Sequence, residues 1–104
     1  MRSEVLKGHV DLLLLATLAD GPLHGYGIVE KLRERSAGAF DLAEGTVYPA
    51  LYRLERAGLL ASSWTTAEGR RRRVYRLTRR GRRELTVERR EWNTFSRAVR
   101  TVIA

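Results

Sequence analysis

The chain has 104 residues, carries 20 Lys/Arg against 12 Asp/Glu for a formal net charge of +8, and contains no cysteine. That length fits one domain, or one domain with an appended helix, and a domain so small buries a modest share of its surface, so self-association would help it. Without cysteine there are no disulfides, thiolate metal sites or thiol nucleophiles. The charge is concentrated: residues 70–83 hold nine arginines and no acid, residues 1–69 hold seven Lys/Arg against nine Asp/Glu, and residues 84–104 four against three. A basic blade on a near-neutral body is the electrostatic footprint of a polyanion binder. The longest uninterrupted apolar run, Leu12 to Ala16, is too short to span a bilayer. The N-terminus lacks the order of a secretion signal, so a cytoplasmic protein without a membrane partner is expected.

Residues 4–19 predict a helix, with Leu6, Val10, Leu13, Leu14 and Leu18 on one stripe. Leu12 and Leu15 widen its apolar surface toward burial on two sides, and Asp20-Gly21-Pro22 stops it. Residues 25–36 predict a second helix with Ile28, Val29 and Leu32 inward, ended by Ser36, Ala37 and Gly38. Phe40 and Leu42 suit either a minimal strand or the anchor of a tight connection. Residues 44–57 predict a third helix with Val47, Leu51 and Leu54 buried. Pro49 is tolerated there if Thr46 is the N-cap, which places the proline in the first turn. Gly58 suits the residue just past the helix end, with Leu59 packing back.

Leu60 to Thr65 read as a strand, Thr66 to Gly69 as a turn, and Arg72 to Leu77 as the returning strand. Val74, Tyr75 and Leu77 interrupt the arginines in near-alternation, which indicates ordered β structure. Thr78 starts a turn or caps a last helix over about Arg80 to Val102, whose apolar positions are Leu85, Trp92, Phe95, Val99 and Val102. From Trp92 onward they follow heptad spacing. The fold class is therefore α+β and mainly helical: a winged helix-turn-helix DNA-binding domain over 1–79 and a C-terminal dimerisation helix over 80–104. In that architecture the third helix enters the major groove and the hairpin lies along the flanking backbone.

Three segments, LLLLATLADGPLHGYGI (12–28), LAEGTVYPALYRLERAGLL (42–60) and GRRRRVYRLTRRGRREL (69–85), resemble the PadR family of bacterial transcriptional regulators. The likeness runs from about residue 9 to 96, and the short C-terminus resembles the subclass with a single C-terminal helix. The resemblance implies a homodimeric repressor on a pseudo-palindromic operator, often with ATGT and ACAT half-sites. It also implies a dimer built by the first and last helices, here through Leu6, Val10, Leu14, Leu85, Trp92, Phe95, Val99 and Val102.

On the third helix, the face opposite the buried stripe offers Thr46, Tyr48, Pro49, Tyr52, Arg53 and Arg56. Hydroxyls bond phosphates or base edges, and arginine reads guanine bidentately. The resemblance places Tyr48 at a DNA-approaching position; the alternative is a half-buried amphipathic aromatic. In the wing, Arg70, Arg71 and Arg72 are the expected phosphate or minor-groove contacts, while Arg73 and Arg76 have the option of pairing with Glu55 or Glu68. Tyr26, at the start of the second helix, suits either a phosphate contact or packing. Trp92, with Phe95 and Val99 beside it, matches the place where a tryptophan of multidrug-sensing relatives stacks planar aromatic compounds between subunits; the plainer reading is an interface aromatic. Trp64 is expected at the hairpin base. His9 and His24 match no metal-ligand spacing, and no nucleophile–base set or phosphate loop is visible. The expectation is a non-enzyme with no cofactor and no metal. A non-specific DNA-compacting or RNA-binding protein remains the alternative, because counterion release gives affinity without sequence reading.

Overall fold

The computed structural model describes residues 3–104; residues 1 and 2, the start of the domain expected over 1–79, lie outside the described residues. The helix expected over 4–19 is two helices, α1 (Ser3–Lys7) and α2 (Val10–Thr17), the second continued by a 3₁₀ turn at Leu18–Asp20. The break falls at Gly8-His9. Glycine weakens a helix there, and the His9 N–H turns back onto the Leu6 carbonyl at 2.8 Å. A two-residue strand, β1 (Leu23–His24), precedes α3 (Gly25–Arg35), and α4 (Glu44–Arg56) completes the helical body. The hairpin β2 (Leu60–Ala67) and β3 (Arg70–Leu77) leads into α5 (Arg79–Ile103).

The sheet is antiparallel in the order β1-β3-β2. β3 pairs with β1 through Leu23↔Tyr75 and His24↔Val74, and with β2 from Leu60↔Leu77 to Ala67↔Arg70. The hairpin closes through Glu68 and Gly69 alone, at φ 53° and 74°. Both central residues are left-handed, the turn geometry whose twist matches that of the strands. Phe40 and Leu42 form no strand. Leu42 is buried as an anchor, and the Phe40 N–H donates to Ser36 Oγ at 2.9 Å.

The core is built from Leu14, Leu15 and Leu18, from Ile28, Val29 and Leu32 of α3, and from Val47, Ala50, Leu51 and Leu54 of α4. It is sealed by Leu60, Tyr75 and Leu77 of the sheet and Leu85 of α5. α4 begins earlier than its composition suggests: Ala43, not Thr46, is the N-cap, and both the Thr46 and Val47 N–H groups donate to the Ala43 carbonyl. Pro49 thus sits inside the helix and denies the Gly45 carbonyl its usual donor. Both residues are exposed, so solvent can serve that carbonyl. At the other end, Gly58 (φ 79°) closes α4 with N–H bonds from Gly58 to the Glu55 carbonyl and from Leu59 to the Leu54 carbonyl, both 3.0 Å. This is the Schellman arrangement expected of Gly58 and Leu59.

Thr78 fixes the departure of α5. Its Oγ1 accepts from the Gly81 N–H (3.0 Å) and donates to the Gly58 carbonyl (2.7 Å), while its own N–H donates to the Leu59 carbonyl (3.1 Å). Gly81 lies so close to this joint that a Cβ would overlap the Leu59 carbonyl oxygen and press on Leu77. Gly81→Ala is therefore expected to lower the unfolding free energy by about 1–3 kcal/mol through overpacking, read as a lower midpoint in urea. Gly45→Ala, whose Cβ would meet nothing within 4 Å, should leave that midpoint unchanged or raise it.

Candidate nucleic-acid interface

Alternation along β3 divides its side chains between two faces. Arg71 and Arg73 continue the face on which Tyr75 and Leu77 are buried, and Arg70, Arg72, Val74 and Arg76 occupy the other. Beyond the edge of the helical body the first of these faces is uncovered. Tyr26, Tyr48, Trp64, Arg71 and Arg73 line a cleft there of about 480 Å³, at the junction of α3, α4 and the hairpin, and Arg72 reaches it from the other face of β3 beside His24. The Tyr48 ring covers Gly25 so closely that a Cβ on Gly25 would lie 2.5 Å from the tyrosine hydroxyl. Yet Tyr48 keeps 42% of its surface exposed, and Tyr26 keeps 50%.

His24 caps α3 by accepting the Gly27 N–H on Nδ1 at 3.0 Å. A neutral ring accepting at Nδ1 carries its proton on Nε2. The Arg72 Nη1 lies 3.1 Å from His24 Nε2. Arg70, Arg71, Arg72 and Arg76 form no ion pair among the described residues. Arg73 does pair with Glu55, at 3.5 Å. The outward side of α4 presents Pro49 and Tyr52, the latter 61% exposed with the Arg56 guanidinium 5.7 Å over its ring.

Thr46 and Arg53, also expected at DNA, lie away from that cleft. With Pro49 they line a second groove, of about 490 Å³, against Leu6, Lys7 and Val10. Arg53 is not free in it: its Nη1 and Nη2 donate to the two carboxylate oxygens of Asp11 at 2.8 and 2.7 Å. The side chain expected to read a base instead ties α4 to α2, because its position points along the flank of the helix rather than straight outward.

The residues expected at a dimer contact also divide. Leu14 and Leu85 are sealed inside the chain's own core, and Val10, largely buried with them, shows only a small surface in the groove beside Arg53. Trp92, Phe95 and Val102 are exposed, Val102 by 83%, and Val99 is half-buried. Val5, Leu6, Leu12, Leu13, Phe40 and Trp92 line a groove of about 360 Å³ that is almost wholly apolar. Trp92 meets His9 edge-on, with ring centroids 5.2 Å apart and planes at 74°, and Phe95 follows at 6.2 Å. Glu88 and Glu91 border the same aromatic pair. The Glu88 carboxyl is pushed up to about 7, first by burial and then by the neighbouring Glu84 carboxyl, with smaller contributions from Asp11 and Glu91.

The helices α2, α3 and α4 and a basic hairpin beside a half-exposed aromatic cleft define a winged helix-turn-helix. Residues 14–87 match the transcriptional regulator PadR-like family, and the chain belongs to that family. Transcriptional regulator Rv3488 of Mycobacterium tuberculosis is 40% identical over 96 residues, covering 92% of this chain and 87% of the relative. A transcriptional regulator from Clostridium thermocellum superposes with a TM-score of 0.90 at 29% identity, covering 98% of this chain and all of the other. Bacillus subtilis PadR, solved in complex with operator DNA, superposes with a TM-score of 0.68 at 26% identity over 74% of this chain and 44% of its own.

Three residues at the site escape a reading by composition. Trp64 is not at the hairpin base. It stands in mid-strand opposite Arg73, 55% exposed, with the Arg71 and Arg73 guanidinium carbons 4.9 and 5.6 Å from its ring. Strict alternation from the buried Leu60 would have placed it on this face. Asp11 and His9 give no local signal, since their partners Arg53 and Trp92 are remote in sequence. Because the raised Glu88 pKa disfavours its charged form in the folded chain, the stability it contributes is present below its ordinary value of 4.5 and is lost as pH rises toward about 7. Glu88→Gln should accordingly melt higher than the parent at pH 8, with the difference shrinking toward pH 4.5 in a series of thermal melts.

Proposed function

We propose that this chain is a homodimeric, sequence-specific repressor that binds a pseudo-palindromic operator and is relieved by a planar aromatic compound. The observation that carries the reading is the cleft where Tyr26, Tyr48, Arg71 and Arg72 converge, next to the outward Pro49 and Tyr52 of α4. Cations without carboxylate partners, hydroxyls and a helix face on one surface suit phosphate contacts combined with base-edge reading. Arg70, on the other face of β3 near the turn, adds a phosphate contact, and Thr46 lies at the start of the inserted helix. Arg53, held by Asp11, serves as a strut. That a relative from Bacillus subtilis sharing the fold was solved in complex with operator DNA supports a DNA partner here.

The apolar face supports the dimer. A second copy of α5 seated on the groove at Leu6, Leu12 and Phe40 would cover Trp92, Phe95, Val99 and Val102, surface that a lone chain leaves to water. Residues 1–79 then form the DNA-binding module and residues 80–104 the dimerisation helix, with Leu85 anchoring that helix to its own core. Two Trp92 rings brought together would form the slot for the aromatic ligand, beside Phe95 and Val99. Such a role is non-enzymatic and cytoplasmic.

The deciding measurement is fluorescence anisotropy with DNA from upstream of the chain's own gene and a shuffled duplex of equal composition, at about 150 mM salt, where weak non-specific binding is suppressed. A preference of about a hundredfold or more is expected; equal affinity would favour a general nucleic-acid clamp. Replacing Arg70, Arg71 and Arg72 by Ala should weaken both duplexes and reduce the salt slope by about 0.9 for each phosphate no longer neutralised. Weakening confined to the operator would assign these arginines to bases. Trp92→Ala should weaken dimerisation in sedimentation equilibrium or the quenching produced by planar aromatic compounds. A variant normal in both would remove Trp92 from the ligand site.

A further inference from the structure

Four consecutive arginines enter β3, and the structure does not treat them alike. Arg73 Nε donates to Ser62 Oγ at 2.9 Å, and its Nη2 lies 3.5 Å from Glu55 Oε2. Ser62 Oγ donates to that same carboxylate oxygen at 2.8 Å. Glu55 belongs to α4 and Ser62 to β2, so one carboxylate joins the inserted helix to both strands of the wing. Trp64 stands opposite Arg73 in the strand register and stacks near its fixed guanidinium. Arg71, two residues along on the same face, lies nearer still to the indole and has no carboxylate partner among the described residues.

We propose that Trp64 is a positioning residue: braced through Arg73 and Ser62 onto Glu55 of α4, it holds Arg71 in place for DNA. The inference rests on the DNA-binding reading above and assigns the wing arginines separate tasks. Arg73 is consumed by the brace and is not a phosphate contact. Arg71 keeps its donors for the ligand and is ordered before the ligand arrives. An unrestrained arginine on an open strand loses rotamer freedom on binding. A stacked indole takes up part of that loss in the free protein. Because the brace starts on α4, the spacing between the helix in the groove and the cation on the wing is set by the same contacts.

The test uses the full chain and a duplex that the wild type selects from a randomised pool. Trp64→Ala is expected to weaken binding about three- to tenfold with an unchanged salt slope, because no cation is removed; Trp64→Phe should restore most of the affinity. Glu55→Gln, nearly isosteric and with a melting temperature as the folding control, should weaken binding about threefold. Combined with Arg71→Ala, it should cost less than the product of the two single effects. Without DNA, the indole N–H resonance of Trp64, assigned by its absence in Trp64→Phe, should move in Glu55→Gln although Glu55 does not touch the ring. Multiplicative effects in the Glu55–Arg71 pair, or an unmoved indole resonance, overturn the proposal. They would leave Trp64 either as a direct DNA contact or as an idle surface residue. If the wild type prefers no duplex, the regulator reading falls and the proposal's DNA role with it, while the indole resonance still decides whether the brace exists.

Discussion

The structure depends on the joint at Thr78. One side chain accepts from the third residue of α5, donates to the glycine carbonyl that ends α4, and sits on a backbone whose N–H reaches Leu59 at the start of the hairpin. Four chain segments meet within a few residues: the end of α4, the beginning of β2, the end of β3 and the start of α5. Gly81 lets them approach to a separation that no side chain would permit. The angle at which a 25-residue helix, about 37 Å long, leaves the body is therefore set short of its far end, by these hydrogen bonds together with Leu85 in the core and Trp92 against His9. That far end is the part with least support from its own chain, as the exposure of Phe95, Val102 and Ile103 shows.

α4 is held differently along its two flanks. Toward α2 the restraint is a bidentate pair between Arg53 and Asp11; toward the wing it is the Glu55, Ser62 and Arg73 cluster. Exposed ion pairs of this kind contribute little to stability, roughly 0–1 kcal/mol each. Their effect is directional: beneath them Val47, Leu51 and Leu54 bury the helix, and the two pairs limit its rotation about its own axis. The surface left between them is the strip carrying Pro49 and Tyr52. For the groove-entering role proposed for α4, a fixed outward face matters more than additional stability.

Elements with strong periodicity are legible from composition: α3, α4, both long strands and α5 all fall close to where apolar spacing puts them. What escapes lies below the length at which a period exists. β1 is two residues long, so no alternation announces it, and the break at Gly8-His9 hides inside a stripe whose leucines remain in phase. The N-cap of α4 differs from the expected Thr46 because an alanine that caps through its backbone alone leaves no mark in the sequence, whereas a threonine near a proline does. Within the site, the sequence marks Tyr48 as lying off the buried stripe of α4 and the wing arginines as alternating between two faces. Which arginines are already occupied depends on acids far away in sequence: Asp11 for Arg53 and Glu55 for Arg73. Burial divides the dimer set in the same way, because the stripe holding Val10 and Leu14 serves the chain's own core before any partner.

The hairpin turn carries a consequence of its own. Glu68 is the only acidic residue between Leu60 and Thr78, and the two-residue turn puts it at the extreme tip, exposed, on a left-handed backbone. The wing is thus charged like a blade with a blunted point: positive along its length and negative at its end. With Arg70 and Arg71 directly beside it, the single Glu68 charge weakens the attraction for a polyanion at the tip, so the strongest pull lies along the flat of the blade.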